Sequence, residues 1–470
     1  MDTPLASSSP HRPRVFIVGG GFAGIAAAKR LAKAPVDVTL VDRRNHHVFQ
    51  PLLYQVATAA LSPADIAAPI RSIVRNLPNC RVVLAKIRGV DPARRRLLMT
   101  GGEVEYDYLI LAAGATHSYF GHDEYASIAP GLKTLEDAVE IRKRILLAFE
   151  SAEYEGDEKR RTAALTFAIV GGGPTGVELA GAIQEIAAKT IAKDFRHIDT
   201  KTTRVVLLQG TDRLLPQFPP SLSERARRDL EKMGVEVLLN ARVTEVTPEG
   251  VWINDHDFLP VRNVLWAAGV RANSLAKSLG VPLTRSGQVI VAPDLTVPGH
   301  PEIFVVGDMA YAKSDGTGEE VPGVAPAAIQ MGKYAGRIIA AEATGRSTPA
   351  DRKPFHYRDK GILATIGRAK AVARIGKLKF GGFFAWLLWS LVHITYLVNF
   401  RNRLAVLASW MWNWLLNARD ARLITGDARL DIKRPRPGEV ILAHEGEAER
   451  ASEAQAPAPS PAQPQLATTP

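Results

Sequence analysis

Two stretches of this sequence place three glycines where an apolar strand turns into a helix, a spacing suited to gripping a pyrophosphate. The first is Val15-Phe16-Ile17-Val18 followed by Gly19-Gly20-Gly21-Phe22-Ala23-Gly24; the second is Thr166-Phe167-Ala168-Ile169-Val170 followed by Gly171-Gly172-Gly173-Pro174-Thr175-Gly176. In each, the first glycine (Gly19, Gly171) permits a tight turn and the second (Gly21, Gly173) lets a phosphate approach the backbone. The third (Gly24, Gly176) lets the helix lie close on its strand. The phosphates then meet the unpaired N–H groups of a helix start. Two such sites on one chain predict two dinucleotides and electron traffic between them.

The strand after the first motif, Val36 to Asp42, ends in a carboxylate eighteen residues beyond Gly24, placed to hydrogen-bond a ribose hydroxyl, with Arg43 beside it. The matching strand after the second motif, Arg204 to Gln209, ends in an amide. An amide bonds either a 2′-OH or a 2′-phosphate, so NADH is expected, because no arginine directly follows Gln209, with NADPH use left open. Two further strand patterns end in small-residue turns, at Gly114 and Gly269. Glu302 to Asp308 delivers Gly307 and a carboxylate at its C-terminal end, where open α/β sheets bind ligands.

Bulk properties narrow the class. A chain of 470 residues is expected to form two or three domains. Its one cysteine, Cys80, permits no intrachain disulfide, no CxxC pair and no cysteine metal cluster, and no metal site is expected. Cys80 reads as an inert buried thiol. The formal net charge of +11 favours anionic partners, either phosphorylated cofactors or an acidic membrane surface. No RNA- or DNA-reading motif is present, so nucleic acid is not an expected partner. Residues 1–12 lack the apolar core of a secretory signal and read as disordered, as does the Ala/Pro/Glu/Gln/Ser-rich tail over 431–470.

The order of these pieces resembles the flavoproteins with two dinucleotide-binding domains. Phe49-Gln50-Pro51-Leu52-Leu53-Tyr54-Gln55-Val56-Ala57-Thr58, Val324-Ala325-Pro326-Ala327-Ala328-Ile329-Gln330-Met331-Gly332 and the segment from Gly361 to Arg403 resemble one family of them, the type II NADH:quinone oxidoreductases. That resemblance implies an α/β fold of two Rossmann-like domains in a glutathione-reductase-like arrangement, the NAD domain inserted in the FAD domain, plus a C-terminal membrane-docking helical segment. The expected divisions are 13–120 and 286–350 for the FAD-binding domain, 121–285 for the NAD(P)H-binding domain and 351–430 for membrane anchoring. Around FAD it implies Gly19, Gly21, Gly24, Asp42, Arg43, Gly114, Gly307, Asp308 and Ala327, with Asp308 on the ribityl chain. Around NADH it implies Gly171, Gly173, Gly176, Gln209 and Gly269.

Members often carry two glutamines at the quinone site; here the first position is Pro326, and only Gln330 carries over. Glu178 follows Thr175 at the T-x-x-E spacing of a capping box, while the resemblance places it by the nicotinamide near the flavin–quinone interface. Lys370 resembles a family lysine near that glutamate, its alternative being plain surface charge. The expected catalytic set is therefore Glu178, Gln330 and Lys370.

The run from Phe380 to Phe400 carries no charged residue over a bilayer-compatible length. Ser390, His393, Thr395 and Asn399 interrupt it, basic residues flank both ends, and five of the seven tryptophans lie within 386–414. Helices lying in the membrane interface fit this pattern better than a spanning helix. The function expected is hydride transfer from NADH to FAD and two-electron transfer to a membrane quinone, with no visible proton channel and no proton pumping. The resemblance implies a peripheral protein on the cytoplasmic side of the inner membrane and admits a homodimer. Three alternatives share features with it: a sulfide:quinone oxidoreductase, which needs paired cysteines; a soluble ferredoxin or rubredoxin reductase, which needs no tryptophan-rich terminus; and a membrane-bound NADH sensor.

Overall fold

A strand covered on both faces must be apolar on both, and β1 (Arg14–Val18) is buried from Val15 onward. A computed structural model of the protein, describing residues 12–416, 419 and 421–425, shows β1 at the centre of a six-stranded sheet. The disordered N-terminal segment and the 431–470 tail read from the sequence lie outside the described residues, apart from Arg12. The chain passes from β1 through α1 (Phe22–Leu31) to β2 (Asp37–Asp42), and β3 (Cys80–Leu84) and β4 (Tyr108–Leu111) extend the sheet on either side. All three pairings in this part are parallel.

The chain then leaves this sheet. After α2 (Leu53–Ala57) has been laid down within the first unit, the long helix α3 (Leu135–Tyr154) leads to a second, four-stranded parallel sheet. Its strands are β5 (Thr166–Val170), β6 (Arg204–Gln209), β7 (Val235–Leu239) and β8 (Asn263–Trp266), in the order β7-β6-β5-β8. Helix α4 (Pro174–Glu185) follows β5 as α1 follows β1. The chain returns with β9 (Thr296–Val297) and β10 (His300–Val305), and β10 pairs parallel with β4. The second sheet is thus inserted in the first. Helix α5 (Ala325–Ala343) then packs along α1, Gly332 lying so close that a Cβ there would sit 2.1 Å from the Ala23 carbonyl oxygen.

The C-terminal part begins with an antiparallel meander, β11 (Ile362–Gly367), β12 (Lys370–Ile375) and β13 (Leu378–Gly381). It packs on α4: a Cβ at Gly181 would meet the Ile366 carbonyl oxygen at 1.7 Å. Helices α6 (Phe383–Tyr396) and α7 (Phe400–Leu416) follow. The uncharged run Phe380–Phe400 is therefore not one helix. Its first residues close β13, and the chain breaks at Leu397–Asn399, where Asn399 adopts φ 71°. At 1.5 Å per residue α6 extends only about 21 Å, short of a hydrocarbon core. Among the described residues no helix is long and apolar enough to cross a membrane.

One hydrophobic core lies around the first sheet. A second unites α3, α4 and the inserted sheet with Phe49, Leu52, Leu53 and Tyr54 of the first unit and with Trp389, Ile394, Leu397 and Val406 of the C-terminal helices. Those helices are part of the core on one side. Their other side exposes Phe384 (75%), Leu391 (62%) and Phe400 (73%). Cys80 is half-buried rather than buried, and burial pushes its thiol up to about 11, consistent with an inert group.

Candidate active site

The two glycine loops are near copies of each other in three dimensions. Gly19 N–H donates to the Val41 carbonyl at 2.8 Å and Gly171 N–H to the Leu208 carbonyl at 2.8 Å, tying each turn to the neighbouring strand. Both glycines have φ near +110°, and a Cβ at Gly19 would meet the Ala112 carbonyl oxygen at 2.3 Å. A Cβ at Gly24 would lie 1.8 Å from the Gly19 oxygen, and one at Gly176 1.8 Å from the Gly171 oxygen. Gly21 and Gly173, by contrast, have nothing within 4 Å of their missing Cβ.

Gly21 and Gly173 are also the N-caps of α1 and α4, and neither helix start has a side-chain cap. Orphan N–H groups facing open space beside glycine suit an anion. The Asp308 carboxylate lies just past β10 with no hydrogen-bond partner among the described residues. Gly114, Gly269 and Gly307 take positive φ in the strand-end turns, and Ala327 is buried in the first turn of α5, whose start also lacks a side-chain cap. The residues present therefore fit FAD along the first loop and NADH along the second.

The strand-end residues have a second task that the spacing alone did not reveal. Asp42 Oδ2 accepts from Gly20 N–H at 2.6 Å, and Gln209 Oε1 accepts from Gly172 N–H at 2.7 Å. Each side chain braces its own glycine loop. Gln209 Nε2 donates onward to Thr211 Oγ1 at 2.6 Å, whereas the second oxygen of Asp42 accepts from Arg44 N–H. Arg43 is exposed beside it.

Glu178 is not half of a capping box. Helix α4 starts from Gly173, which puts Thr175 inside the first turn rather than at the cap. The Glu178 side chain instead faces the Thr365 N–H of β11, and burial holds its carboxyl well above the usual carboxylate range. It lines a cavity of about 130 Å³ together with Tyr54, Thr365, Trp386, Trp389 and Trp410. Glu185 and Arg419, paired at 3.2 Å, close another part of the wall.

A hydrogen-bonded chain with fixed polarity reaches this cavity from α7. Trp410 Nε1–H donates to Gln55 Oε1 at 2.6 Å, and Gln55 Nε2–H donates to the Tyr54 hydroxyl at 2.8 Å. An indole N–H can only donate, so the Gln55 amide has one permitted orientation, and its NH₂ can only donate to Tyr54. The Tyr54 proton is then turned away from Gln55. Trp410 and Gln55 are 355 positions apart, and no local pattern could have paired them.

The structure separates the other two expected catalytic residues from Glu178. Gln330 has both ends of its amide engaged by the Arg358 backbone, at 3.0 Å each, and lines a different cavity. Lys370 sits at the start of β12 and does not line the Glu178 cavity; Arg368 and Arg419 are the arginines there. The two-residue turn before β12 swaps which cation faces inward, a choice that the sequence spacing leaves undecided.

These contacts yield two predictions. Gly24→Ala should yield protein without flavin colour, whereas Gly176→Ala should keep the flavin and raise the KM for NADH, about tenfold or more, because each methyl group would strike only its own loop. Absorbance at the flavin bands and steady-state kinetics report both. For Glu178, the folded state keeps a proton that the unfolded chain releases above pH 4.5, so stability falls as pH rises from there through the raised value. Glu178→Gln removes that loss. Its melting temperature should match the parent below pH 4.5 and exceed it toward neutral pH; a gap that does not change with pH would contradict the burial argument.

The comparisons with known proteins agree with this geometry. Residues 13–332 match the family model of the pyridine nucleotide-disulphide oxidoreductases, and residues 360–420 match that of the NDH2 C-terminal domain. The type II NADH:quinone oxidoreductase NdhA of Mycobacterium tuberculosis is 47% identical over 90% of this chain and 92% of its own. An internal alternative NAD(P)H-ubiquinone oxidoreductase of Arabidopsis thaliana is 31% identical over 88% of this chain and 86% of its own. The fold matches NDH2 of Plasmodium falciparum in complex with NADH at a TM-score of 0.79 and 21% identity, over 88% of this chain and 100% of that one. A sulfide:quinone oxidoreductase of Aquifex aeolicus shares the fold more loosely, at a TM-score of 0.66 and 16% identity over 91% of this chain and 100% of that one. With its two glycine loops, its C-terminal meander and helices, and relatives matched over most of their length, the chain belongs to the type II NADH:quinone oxidoreductases.

Proposed function

We propose that quinone is reduced in the cavity around Glu178, with the Glu178 carboxyl and the Tyr54 hydroxyl supplying protons. The overall reaction is that of the family, NADH oxidation coupled to quinone reduction without proton pumping. FAD, which the first glycine loop and the start of α1 would hold, would supply the redox chemistry of hydride acceptance and two-electron transfer. The chain's own residues bind, orient and protonate. The open starts of α1 and α4 would hold the two pyrophosphates, and Asp308, whose carboxylate has no hydrogen-bond partner among the described residues, would bind the ribityl hydroxyls.

A quinone that gains two electrons needs two protons to become a quinol. The observation that carries the reading is Glu178 itself: an acid kept protonated by burial, on the helix that begins at the second nucleotide loop, in a cavity roofed by tryptophans. Above it Trp389 lies 5.6 Å from Trp410 and 6.4 Å from Tyr54, centroid to centroid, an apolar lid suited to an aromatic substrate. Gln55 turns the Tyr54 proton away from itself, and burial holds that phenol well above its usual range, so it acts as a donor and not as an anion. The first test is rapid mixing. Flavin reduction by NADH should be unchanged in Tyr54→Phe and Glu178→Gln, whereas reoxidation by quinone should slow by about 10²-fold in Glu178→Gln, the lower end for a lost general acid, and less in Tyr54→Phe. Reoxidation in the parent should slow as pH rises through the Glu178 pKa. Equal slowing of both half-reactions would move the quinone elsewhere.

The exposed apolar face of α6 and α7 is the proposed membrane contact, made by helices lying in the interface. The nucleotide loops are proposed to face the cytoplasmic side of the inner membrane, the compartment that would supply NADH. Removing residues 375–430 would test this poorly, because Trp389, Ile394 and Val406 belong to the core. Phe384→Glu with Leu391→Glu changes only exposed positions. That variant should leave the membrane fraction on sedimentation while still reducing a soluble quinone; continued sedimentation with membranes would place the contact on another face.

A further inference from the structure

We propose that the groove between α1, α5 and residues 353–358 binds the phosphate of an anionic phospholipid. This rests on the membrane contact proposed above and gives it a chemical preference. The groove, about 1050 Å³, is rimmed by six cations: Lys29 and Arg30 at the end of α1, Lys333 and Arg337 on α5, and Lys353 and Arg358 beyond it. Among the described residues none of the six pairs with a carboxylate, and Asp315 is the one acid on the lining. Nearby arginines behave differently. Arg352 pairs with Glu342 and Asp294, and Arg374 with Asp359.

Six like charges with no carboxylate partners repel one another, and a cleft between low-dielectric walls concentrates their field on whatever enters. An anion relieves that repulsion. The groove is also amphiphilic, because Ile25, Ile329 and Phe355 line it beneath the cations. Tyr396 and Val398, from the bend between α6 and α7, form one wall. The cationic rim therefore adjoins the apolar face that carries Phe400. A phosphate joined to acyl chains uses both features, whereas a free phosphate uses only the rim. The flavin's own pyrophosphate is accounted for elsewhere: Gly21 and Lys29 are eight residues apart, about 12 Å along the helix axis.

The test uses the full-length holoenzyme and two kinds of vesicle, phosphatidylcholine alone and phosphatidylcholine mixed with phosphatidylglycerol, at fixed ionic strength. Each cation close to an anionic membrane is worth about fivefold in affinity. Lys29→Gln/Arg30→Gln/Lys333→Gln/Arg337→Gln should therefore lose about 10²-fold or more toward the anionic vesicles while keeping its affinity for phosphatidylcholine and its turnover with a soluble quinone. A control with the same charge loss outside the groove, Lys201→Gln/Lys232→Gln/Lys277→Gln/Arg285→Gln, should keep the preference. Equal losses in the two variants would reduce the effect to net charge and overturn the site. So would abolition of the preference by inorganic phosphate at fixed ionic strength, which would make the ligand a free anion. A parent that binds both vesicles equally sinks the groove alone, whereas a parent that binds neither sinks the membrane contact on which it rests.

Discussion

Helices α1 and α4 each rest directly on the backbone of the turn that precedes them, with no side chain between. The 1.8 Å clearance that a Cβ would have at Gly24 and Gly176 states how close that approach is. Because the helix is this near, its first N–H groups stay uncapped and point past Gly21 or Gly173 into open space. Everything downstream inherits that geometry. The strand-end oxygens of Asp42 and Gln209 are drawn onto the middle glycines, the two pyrophosphate sites face strand ends, and α4 leads from the second site to Glu178.

The C-terminal part completes this arrangement instead of merely tethering it. Its first strand lies on α4 at a glycine, Gly181, and supplies the Thr365 N–H that meets Glu178. Asn402 donates to the Ala64 and Ala67 carbonyls, Asn413 to the Ala60 carbonyl and Trp410 to Gln55, so α7 is stitched to the segment that carries Tyr54. On the proposed reading, the helix pair that would meet lipid on one face shapes the cavity around Glu178 with the other. The proposed membrane contact and the proposed quinone cavity would then share the same two helices, so truncation there would perturb both.

Glu178 illustrates how burial and hydrogen bonding oppose each other. The Thr365 N–H favours the carboxylate, yet loss of water outweighs it, and the group stays protonated. The same exclusion of water keeps His393, stacked on Trp389 at 4.2 Å, neutral, its pKa pushed down to about 4. Around the cavity the walls combine apolar rings with the acids Glu178 and Tyr54, and the charged groups there are Lys189, Arg368 and the Glu185–Arg419 pair. Such a site suits the proposed aromatic substrate and keeps its proton donors neutral until the proton is transferred.

The inserted order of the two nucleotide units was implied by the family resemblance, whereas the glycine loops and the strand-end carboxylates at Asp42 and Asp308 were legible in the linear chain itself. Each depends on sterics or polarity within a window of a few dozen residues, where spacing alone dictates the local backbone. The T-x-x-E reading of Glu178 failed because helix α4 is capped two residues earlier, at Gly173, a residue type that local propensity does not favour over threonine. Gln330 and Lys370 were placed by likeness to relatives, but side-chain direction after a turn and competition from the Arg358 backbone belong to the folded state. The Trp410–Gln55–Tyr54 chain, the cavity around Glu178 and the cationic groove join residues hundreds of positions apart. Only packing brings such groups together, because burial and hydrogen-bond polarity are properties of a three-dimensional neighbourhood that no stretch of sequence contains.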